Sequence, residues 1–275
     1  CGSGYLLKLF KDLGIQVYGT DYSPAMIKNI SILYDINVKQ GRFSKKMFDR
    51  KFDLITSSNV IEHFYDPSKD LDDMISLIND NGYLFIEVPD AEFPLSDTLS
   101  DQIAFEHISH FTRLTLSRLL ESKGMQIISF LRKEYVPGDG ILGTYLNIIS
   151  KKVINSFERQ FEDNDFQKQR DILFQYKKDH NFFIKKFKTK IFNILKKLGG
   201  DPLAIFPGGE HTVSLIEKCG LQKSDIKYIF DNDLSVIGRE LAGIKILPAS
   251  KIKELDVNNF LLSTTNHERS IFKQI

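Results

Sequence analysis

The stretch that decides the fold is residues 1–21, CGSGYLLKLFKDLGIQVYGTD. The glycine-rich turn Cys1-Gly2-Ser3-Gly4 opens a segment with a helical apolar face, and Ile15–Thr20 has the pattern of a short strand that ends at Asp21. Glycines let backbone N–H groups approach a ligand closely, and the positive end of a helix favours an anionic group. An acid at the end of the next strand can accept hydrogen bonds from both hydroxyls of a ribose. This spacing predicts a nucleoside site, and the alternative is a tight turn followed by a capping aspartate.

Working outward, helix-like and strand-like segments alternate as far as residue 130. Ser23-Pro24 is typical of a helix start, with serine as the cap and proline at the first helical position. We predict helices over residues 69–78 and 115–123, a turn at Asn81-Gly82, and strands over residues 52–56, 83–88, 126–130 and 145–150. The alternation predicts a parallel sheet that is covered on both faces.

A second α/β pattern begins near residue 201. It contains a strand at 203–206, a turn at 207–209, a helix at 211–219, and strands at 226–230 and 260–263. Between the two patterns, Phe-, Lys- and Gln-rich stretches without a strong breaker before Gly199 indicate one or two connecting helices. We therefore predict an α/β domain at residues 1–150, a helical connector at 151–200 and a smaller α/β domain at 201–275.

The composition limits the class of protein. With 42% hydrophobic and 27% charged residues, the chain is neither disordered nor collagen-like. Lys+Arg numbers 37 and Asp+Glu numbers 36, and a net charge of +1 argues against a nucleic-acid partner. No apolar run approaches the ~20 residues that a membrane span needs. Cys1 and Cys219 lie far apart, so we expect a reducing, cytoplasmic compartment and no disulfide within the chain.

Four segments, in order, resemble class I S-adenosylmethionine-dependent methyltransferases. Cys1-Gly2-Ser3-Gly4 is similar to the second half of the family's Asp/Glu-x-Gly-x-Gly-x-Gly motif, and Asp21 occupies the place of the acid that binds ribose. Residues 52–64, FDLITSSNVIEHF, are similar to the family's fourth-strand segment, and Asp66-Pro67 and Asn81–Leu84 continue the match.

The resemblance implies S-adenosylmethionine as cofactor and a Rossmann-like α/β sheet that lacks its first strand in this chain. Because the chain begins with Cys1 and ends in a helix-like segment, we expect a fragment at both ends. His63 is interpreted as a packing and capping residue rather than a catalytic one. The implied cofactor-binding residues follow successive strands: Gly2, Ser3, Gly4, Asp21, Tyr22, Arg42, Phe43, Ser58 and Asn59.

Residues 105–111, FEHISHF, place two imidazoles and a carboxylate within five residues. Methyl transfer to oxygen or carbon needs a nucleophile that has lost its proton, and a histidine can take that proton near neutral pH. We predict His107 as this base, with Glu106 as its partner and His110 as a further candidate. His-x-x-His without cysteine offers too few ligands for zinc, so no metal is predicted. The alternative is a buried aromatic–histidine turn that joins two layers.

The same segment resembles the His-Glu-His-x-x-Tyr-Phe segment of sugar C-methyltransferases, which act on nucleotide-linked deoxysugars. Glu106 and His107 match the Glu-His pair, which the resemblance implicates in removing a proton from a carbon beside a keto group. Ala104, Phe105 and His110 stand where that family has tyrosine, histidine and tyrosine. Both C- and O-methylation therefore remain open, on a small-molecule sugar or nucleotide-sugar of polysaccharide or secondary-metabolite synthesis. A homodimer is one assembly that we consider.

Sugar C-methyltransferases end in a Rossmann-like substrate domain after a helical connector, and residues 151–275 have that layout. Their turn contains Gly208, Gly209, Glu210 and His211, and it is similar to the Gly-x-Gly-x-His-Thr turn of sugar-related proteins. A glycine turn at a helix start could hold the diphosphate of a nucleotide-sugar, and the glutamate and histidine could bind the sugar. The alternative is a domain that serves only packing or dimerisation.

Two other functions stay open from the sequence. An NAD-dependent nucleotide-sugar oxidoreductase or epimerase would also have glycine turns and strand-end acids, but Leu7 stands where a Gly-x-Gly-x-x-Gly motif needs glycine. A non-catalytic sugar-binding protein on a methyltransferase fold would account for Ala104 and for the incomplete first motif.

Overall fold

The computed structural model describes residues 1–94, 99, 107–135, 143–153, 165–264 and 271–273. The chain divides into two compact units. The first comprises residues 1–91, 105–133 and 145–163, and the second comprises residues 92–104, 134–144 and 164–275. None of the helices within the described ranges has a stretch both long and apolar enough to span a membrane.

The elements as far as residue 152 alternate much as the sequence predicts. The helices are α1 (Tyr5–Asp12), α2 (Pro24–Tyr34), α3 (Pro67–Ser76) and α4 (Arg113–Ser122). The strands are β1 (Gly19–Asp21), β2 (Val38–Gln40), β3 (Phe52–Ser58), β4 (Ile78–Pro89), β5 (Met125–Tyr135) and β6 (Gly143–Lys152).

Side-chain caps fix where two of these helices begin. Ser23 Oγ accepts a hydrogen bond from the Met26 amide at 3.3 Å, and Pro24 is the first residue of α2, which confirms the predicted helix start. The Asp66 carboxylate accepts a hydrogen bond from the Lys69 amide at 3.1 Å at the start of α3. Each cap satisfies an amide that has no partner within its helix.

The strands of the first unit form two sheets. β1 and β2 pair in parallel, and the second sheet has the order β3-β4-β6-β5. β3 and β4 are parallel, whereas β6 runs antiparallel to β4. The parallel arrangement that the alternation predicts is therefore present in the pairs β1–β2 and β3–β4. The core beside the four-stranded sheet contains fully buried residues of α3, β4, α4 and β6: Leu71, Leu84, Ile86, Leu116, Leu120 and Ile148.

Two local expectations differ from the structure. The predicted strand at 15–20 is reduced to Gly19–Asp21, because β2 pairs only with these residues, and Ile15 is 50% exposed. The predicted turn at Asn81-Gly82 lies within β4, where Asn81 has a φ of 63°. A Cβ on Gly82 would lie 3.1 Å from the Asp53 carbonyl oxygen, so glycine lets β3 approach closely at the irregular point of its pairing with β4.

The second unit contains its own sheet. Its elements are α5 (Asp165–Leu198), β7 (Leu203–Phe206), α6 (Glu210–Glu217), β8 (Ile226–Asp231), β9 (Glu240–Leu241), β10 (Ile244–Pro248) and β11 (Phe260–Leu262). The sheet order is β11-β7-β8-β10-β9, with all neighbours parallel except the antiparallel pair β9–β10.

The internal strand β7 of this sheet is buried along its whole length. All four residues of β7 are buried, which is typical of a central strand in an α/β sheet. Ile191 of α5 belongs to the same buried cluster as Leu203 and Ile205, so the long helix packs on this sheet. The division of the chain at residues 150 and 200 stays a prediction.

Candidate functional site

Asp21 connects the end of β1 to the glycine-rich turn. Its Oδ2 accepts hydrogen bonds from the Gly2 amide at 2.9 Å and from the Cys1 amino group at 3.0 Å. Its Oδ1 accepts a hydrogen bond from the Ser23 amide at 2.9 Å. Burial tends to raise the pKa of Asp21, but the hydrogen bonds that its carboxylate accepts from the Ser23 and Gly2 amides oppose this effect, and the pKa lies below its ordinary value. The carboxylate is therefore ionised at neutral pH and fixed at the end of its strand.

Hydrogen-bond inventory limits what Asp21 can still bind. A carboxylate offers about four acceptor positions, and three are used by the contacts of Cys1, Gly2 and Ser23. One position, on Oδ1, remains for a ligand hydroxyl. The predicted binding of both ribose hydroxyls to Asp21 stays a prediction.

The two glycines of the opening turn differ in their surroundings. Gly4 is buried with a φ of 74°, and a Cβ at this position would lie 2.7 Å from Ile30 Cγ1. Gly2 is exposed with a φ of 52°, and a Cβ there would meet nothing within 4 Å. Gly4 therefore lets the turn pack on α2, while Gly2 and the exposed Ser3 present open backbone to a ligand.

The predicted residues after β1 and β2 have unequal surroundings. Tyr22 is 66% exposed beside Asp21. Arg42 is paired with Asp70 at 2.5 Å, and its guanidinium carbon lies 5.2 Å from the centre of the Phe64 ring. Phe43 is half-buried against the core of the four-stranded sheet. Arg42 and Phe43 thus have structural contacts of their own, and Tyr22 offers the freer surface for an adenine ring.

Ser58 and Asn59 end β3 beside the neighbouring strand. The Ser58 hydroxyl donates a hydrogen bond to the Glu87 carboxylate, and the Asn59 amide donates to the Glu87 carbonyl oxygen at 2.9 Å. Asn59 has a φ of 51°, which turns the chain sharply after the strand. Both side chains are exposed at the carboxyl end of β3, which is the edge where parallel α/β sheets bind ligands.

The turn that follows Asn59 brings together residues far apart in the sequence. Residues Ile61–His63 form a 3₁₀ turn, and His63 and His107 lie with their ring centroids 4.9 Å apart in an edge-to-face arrangement. His63 Nε2 lies 3.8 Å from Glu62 Oε1. One potential ligand atom from each of Glu62, His63 and His107 lies within 4.8 Å of the other two. We call these three residues the Glu–His–His cluster.

Main-chain hydrogen bonds hold His107 in this position. The Ser109 amide donates to the Glu62 carbonyl oxygen at 3.0 Å, and the Ala91 amide donates to the Phe111 carbonyl oxygen at 2.9 Å. Phe111 is buried in the core beneath. The segment 107–111 is therefore fastened both to the turn after β3 and to the residue after the end of β4.

Glu62 is the buried member of the cluster, with 2% exposure. Within the described part of the chain, neither carboxylate oxygen has a hydrogen-bond partner. Burial raises the pKa of Glu62, and the neighbouring backbone amides and the charges of His63 and His107 offset only part of this effect. A carboxylate in such surroundings is stabilised by a nearby cation or by a proton.

The predicted catalytic residues are placed in part. His107 is half-buried in the cluster, and the ring of the exposed His110 lies 6.3 Å from that of His107. Glu106, like Ala104 and Phe105, lies outside the described residues. Among the described residues, Glu62 supplies a carboxylate beside His107, and the sequence analysis gives this residue no role. Its signal in the sequence is an acid and a histidine in succession directly after a strand.

The second unit repeats the contact between a glycine turn and a strand-end aspartate. Asp231 Oδ2 accepts a hydrogen bond from the Gly208 amide at 3.0 Å, and Oδ1 accepts from the amides of Asn232 at 2.7 Å and Asp233 at 2.9 Å. A Cβ on Gly208 would lie 2.8 Å from Ile229 Cγ2, whereas one on Gly209 would meet nothing within 4 Å. Gly208 is thus required for packing, and Gly209 is not.

The predicted sugar-binding residues of this unit lie at the start of α6. Gly209 is the cap residue, and Glu210 and His211 follow in the first turn of the helix. Beside them the buried Thr212 hydroxyl lies 2.8 Å from the Ser263 hydroxyl and donates to the Pro207 carbonyl oxygen at 2.6 Å. β7 and β11, which end at this place, are parallel neighbours, and the strands that follow β7 in the chain lie on its other side until β11 returns to pair with it. Such a switch point is a common ligand position in open α/β sheets.

A cavity of about 440 Å³ lies away from these sites. Its lining includes Ile15–Gly19 and Asp35–Asn37, most of which precede β1 and β2. It therefore opens at the amino ends of these strands, opposite to Asp21. Lys11 and Lys39, which also line it, donate hydrogen bonds to main-chain carbonyls, so the cavity is not the predicted cofactor site.

The comparisons with known proteins concern the first part of the chain. Residues 1–129 match the family described as "Methyltransferase domain". No curated protein is significantly similar to the chain.

Solved structures similar to the chain include several methyltransferases. A SAM-dependent methyltransferase from Archaeoglobus fulgidus is 20% identical with a TM-score of 0.43, and the match covers 55% of this chain and 83% of that one. The 1,6-didemethyltoxoflavin-N1-methyltransferase of Burkholderia thailandensis, solved with S-adenosylhomocysteine, is 18% identical with a TM-score of 0.43, and the match covers 55% and 68% of the two chains. A SAM-dependent methyltransferase from Mesorhizobium loti is 15% identical with a TM-score of 0.42, and the match covers 55% and 87%.

The family match spans the glycine-rich turn, Asp21, the strand-end residues of β3 and the Glu–His–His cluster. The resemblance that these segments carry in the sequence agrees with this match. Residues 1–129 are thus similar to a methyltransferase domain, which supports an enzyme that uses S-adenosylmethionine as its cofactor.

Proposed function

We propose that the enzyme methylates an oxygen or a carbon of a sugar or nucleotide-sugar. The observation that carries this proposal is the placement of His107 beside Glu62 and His63 at the carboxyl end of β3. A polar, partly buried group of this kind suits an acceptor that must lose a proton, as a sugar hydroxyl or a carbon beside a keto group does.

The cofactor would be held at the glycine-rich turn. Asp21 has one free acceptor position for a ribose hydroxyl, Gly2 and Ser3 present exposed backbone at the start of α1, and Tyr22 offers an exposed ring beside them. S-adenosylmethionine supplies a methyl group on a positively charged sulfur, which needs little acid catalysis. Positioning of acceptor and donor then supplies most of the rate enhancement.

The acceptor oxygen or carbon forms a bond to the methyl carbon while the bond from that carbon to sulfur breaks, and S-adenosylhomocysteine leaves. The proton of the acceptor passes to a ring nitrogen of His107. The Glu62 carboxylate lies beside this imidazole, and His110 is a second candidate for the same role.

The turn after β7 would bind the nucleotide part of such an acceptor. Gly208, Gly209, Glu210 and His211 lie at the start of α6, next to the Thr212 and Ser263 hydroxyls. Main-chain amides at a helix start favour a diphosphate. A cytoplasmic location and a homodimer stay predictions from the sequence.

The experiment is a methyl-transfer screen. The full chain is incubated with radiolabelled S-adenosylmethionine and a panel of nucleotide-sugars, free sugars and unrelated amine and carboxylate acceptors. We expect label in a sugar or nucleotide-sugar product. Label only in an amine or carboxylate acceptor would contradict the sugar proposal, and calorimetric titration with NAD in parallel would reveal an oxidoreductase.

A further inference from the structure

We propose that Glu62, His63 and His107 bind a divalent transition-metal cation, which in turn binds an oxygen of the methyl acceptor. This inference rests on the proposed function for the identity of the acceptor, but the binding of the cation does not. It differs from the expectation that no metal binds, which rests on the His-x-x-His spacing of residues 107–110.

The first observation is the geometry of the three side chains. Their candidate ligand atoms all lie within 4.8 Å of one another, and the Glu62 and His63 atoms are 3.8 Å apart. Ligands that share a metal at about 2.0–2.2 Å lie roughly 3–3.5 Å apart, so small side-chain rotations complete the site. The ligands come from two separate segments, the 3₁₀ turn after β3 and the segment 107–111. Folding therefore brings together ligands that lie far apart in the sequence.

The second observation is independent of this spacing. Glu62 is 2% exposed, and within the described residues its two carboxylate oxygens accept no hydrogen bond. A buried carboxylate without partners is unfavourable unless a cation or a proton neutralises it. Because these oxygens lie beside two imidazoles, a metal cation bound here would neutralise the Glu62 carboxylate and take the imidazoles as further ligands.

The Ser109 amide fixes the relation between the two segments that supply the ligands. It donates to the carbonyl oxygen of Glu62 itself at 3.0 Å, so the backbone of residues 107–109 cannot move away from the turn without breaking this bond. His63 is 41% exposed at its side chain, which leaves one side of the cluster open to solvent or to an acceptor. Three protein ligands with an open side are typical of catalytic rather than structural metal sites.

The ligand types indicate which cation fits. Two imidazoles and one carboxylate favour Mn²⁺, Fe²⁺, Co²⁺, Ni²⁺ or Zn²⁺, whereas Mg²⁺ and Ca²⁺ prefer all-oxygen sites. Such a cation would bind a hydroxyl or keto oxygen at its open positions. The acceptor class that suits it best carries two adjacent oxygens, as a sugar diol or hydroxy-ketone does, and a cation beside the hydroxyl makes it more acidic.

Metal titration of the full chain tests the site directly. Protein freed of metal with a chelator is titrated with Mn²⁺ and with Zn²⁺ by calorimetry, and with Co²⁺ by visible absorption, which reports nitrogen and oxygen ligands. We expect one equivalent of cation per chain. Glu62→Gln and His107→Gln should each weaken binding by at least about tenfold, which corresponds to about 1.4 kcal/mol.

The controls separate this inference from folding and from the proposed function. His211→Ala, in the second unit, should leave the cation affinity unchanged, and thermal unfolding in chelator should show that Glu62→Gln is folded. Absence of saturable binding, or affinity that neither cluster variant lowers, overturns the inference. Calorimetry with S-adenosylmethionine on the metal-free protein and the acceptor screen then decide the proposed function separately.

Turnover measured on the metal-free and the metal-bound protein decides the role of His107. If the bound cation is required for turnover, His107 acts as a ligand, and the acceptor proton leaves to His110 or to water. If the metal-free enzyme turns over at the full rate, the cation has no part in acceptor binding, and the second half of the inference is wrong while His107 keeps its role as base.

Discussion

Each of the two units joins a glycine turn to an aspartate at the end of the following strand. Asp21 accepts from the Gly2 amide and Asp231 from the Gly208 amide, at 2.9 and 3.0 Å, and each also accepts from an amide two residues further on. The surroundings differ, because the methyltransferase match covers the first turn and ends at residue 129. The shared contact thus belongs to how such α/β units fold, and the neighbouring side chains decide what each unit binds.

The largest expected effect distinguishes His107 of the first unit from His211 of the second unit. His107→Ala should lower turnover by about 10²–10⁴-fold, the usual contribution of a general base, while the affinity for S-adenosylmethionine changes little. His211→Ala should instead lower the affinity for the methyl acceptor, without a comparable loss of turnover at saturating acceptor. Steady-state kinetics and cofactor titration measure both, and equal losses of turnover and cofactor affinity in His107→Ala would remove its catalytic role.

The next effect compares the two aspartates. Asp21→Asn should lower the affinity for S-adenosylmethionine by about tenfold to a hundredfold, since a hydrogen bond to a charged group contributes about 1.5–3 kcal/mol. Asp231→Asn should leave that affinity unchanged. Calorimetry with the cofactor distinguishes the two, and an unchanged affinity in Asp21→Asn would place the cofactor elsewhere.

A smaller effect sharpens the comparison of the glycines. Gly4→Ala should destabilise the protein by about 1–3 kcal/mol, because its φ of 74° is strained for alanine and the new Cβ would meet Ile30 at 2.7 Å. Gly209→Ala should change stability by no more than about 0.5 kcal/mol, because its Cβ would meet nothing within 4 Å. Urea unfolding gives both values, and a neutral Gly4→Ala would mean that the turn rearranges.

The pH dependence of stability should separate Asp21 from Glu62. The pKa of Asp21 is held below its ordinary 3.8, so its stabilising contribution is present above that value and is lost as the pH falls through the folded pKa. The pKa of Glu62 is raised above 4.5, so stability falls as the pH rises from that value through the folded pKa. Glu62→Gln should therefore equal or exceed the stability of the parent at pH 7 in chelator and lose this advantage at pH 4.

Unfolding curves across this pH range check both signs. Asp21→Asn should lose stability relative to the parent at neutral pH and approach it under acid conditions. A Glu62→Gln variant that is less stable than the parent at neutral pH without metal would show that the buried carboxylate is already well compensated in the folded chain.

Elements whose structure depends on neighbouring residues in the sequence could be predicted from the sequence. The cap at Ser23 and Pro24, and the apolar run of β7, depend on neighbouring residues and are confirmed at or close to the predicted positions. The direction of β6 was not predicted, because an alternating pattern does not distinguish parallel from antiparallel pairing.

The site was predictable only in part for the same reason. Asp21 and the glycine turn are separated by one helix and one strand, so their contact follows from the spacing of a single α/β unit. Glu62 and His107 are 45 positions apart and meet through the hydrogen bond from Ser109 to Glu62, which no local pattern reveals. The sequence therefore pointed to Glu106 as the partner of His107, which stays a prediction, and did not reveal Glu62 as a second carboxylate beside it.

The hydrogen bonds from Ser109 to Glu62 and from Ala91 to Phe111 join main-chain atoms alone. Any amino acid other than proline could stand at 109 or 91 and still donate them. Substitution of exposed side chains along this segment could therefore change which methyl acceptor binds, while the His107 imidazole keeps its position. Acceptor preference and the position of His107 can thus change independently. Residues such as Ile108 can be varied by laboratory evolution without loss of the main-chain bonds that hold this segment.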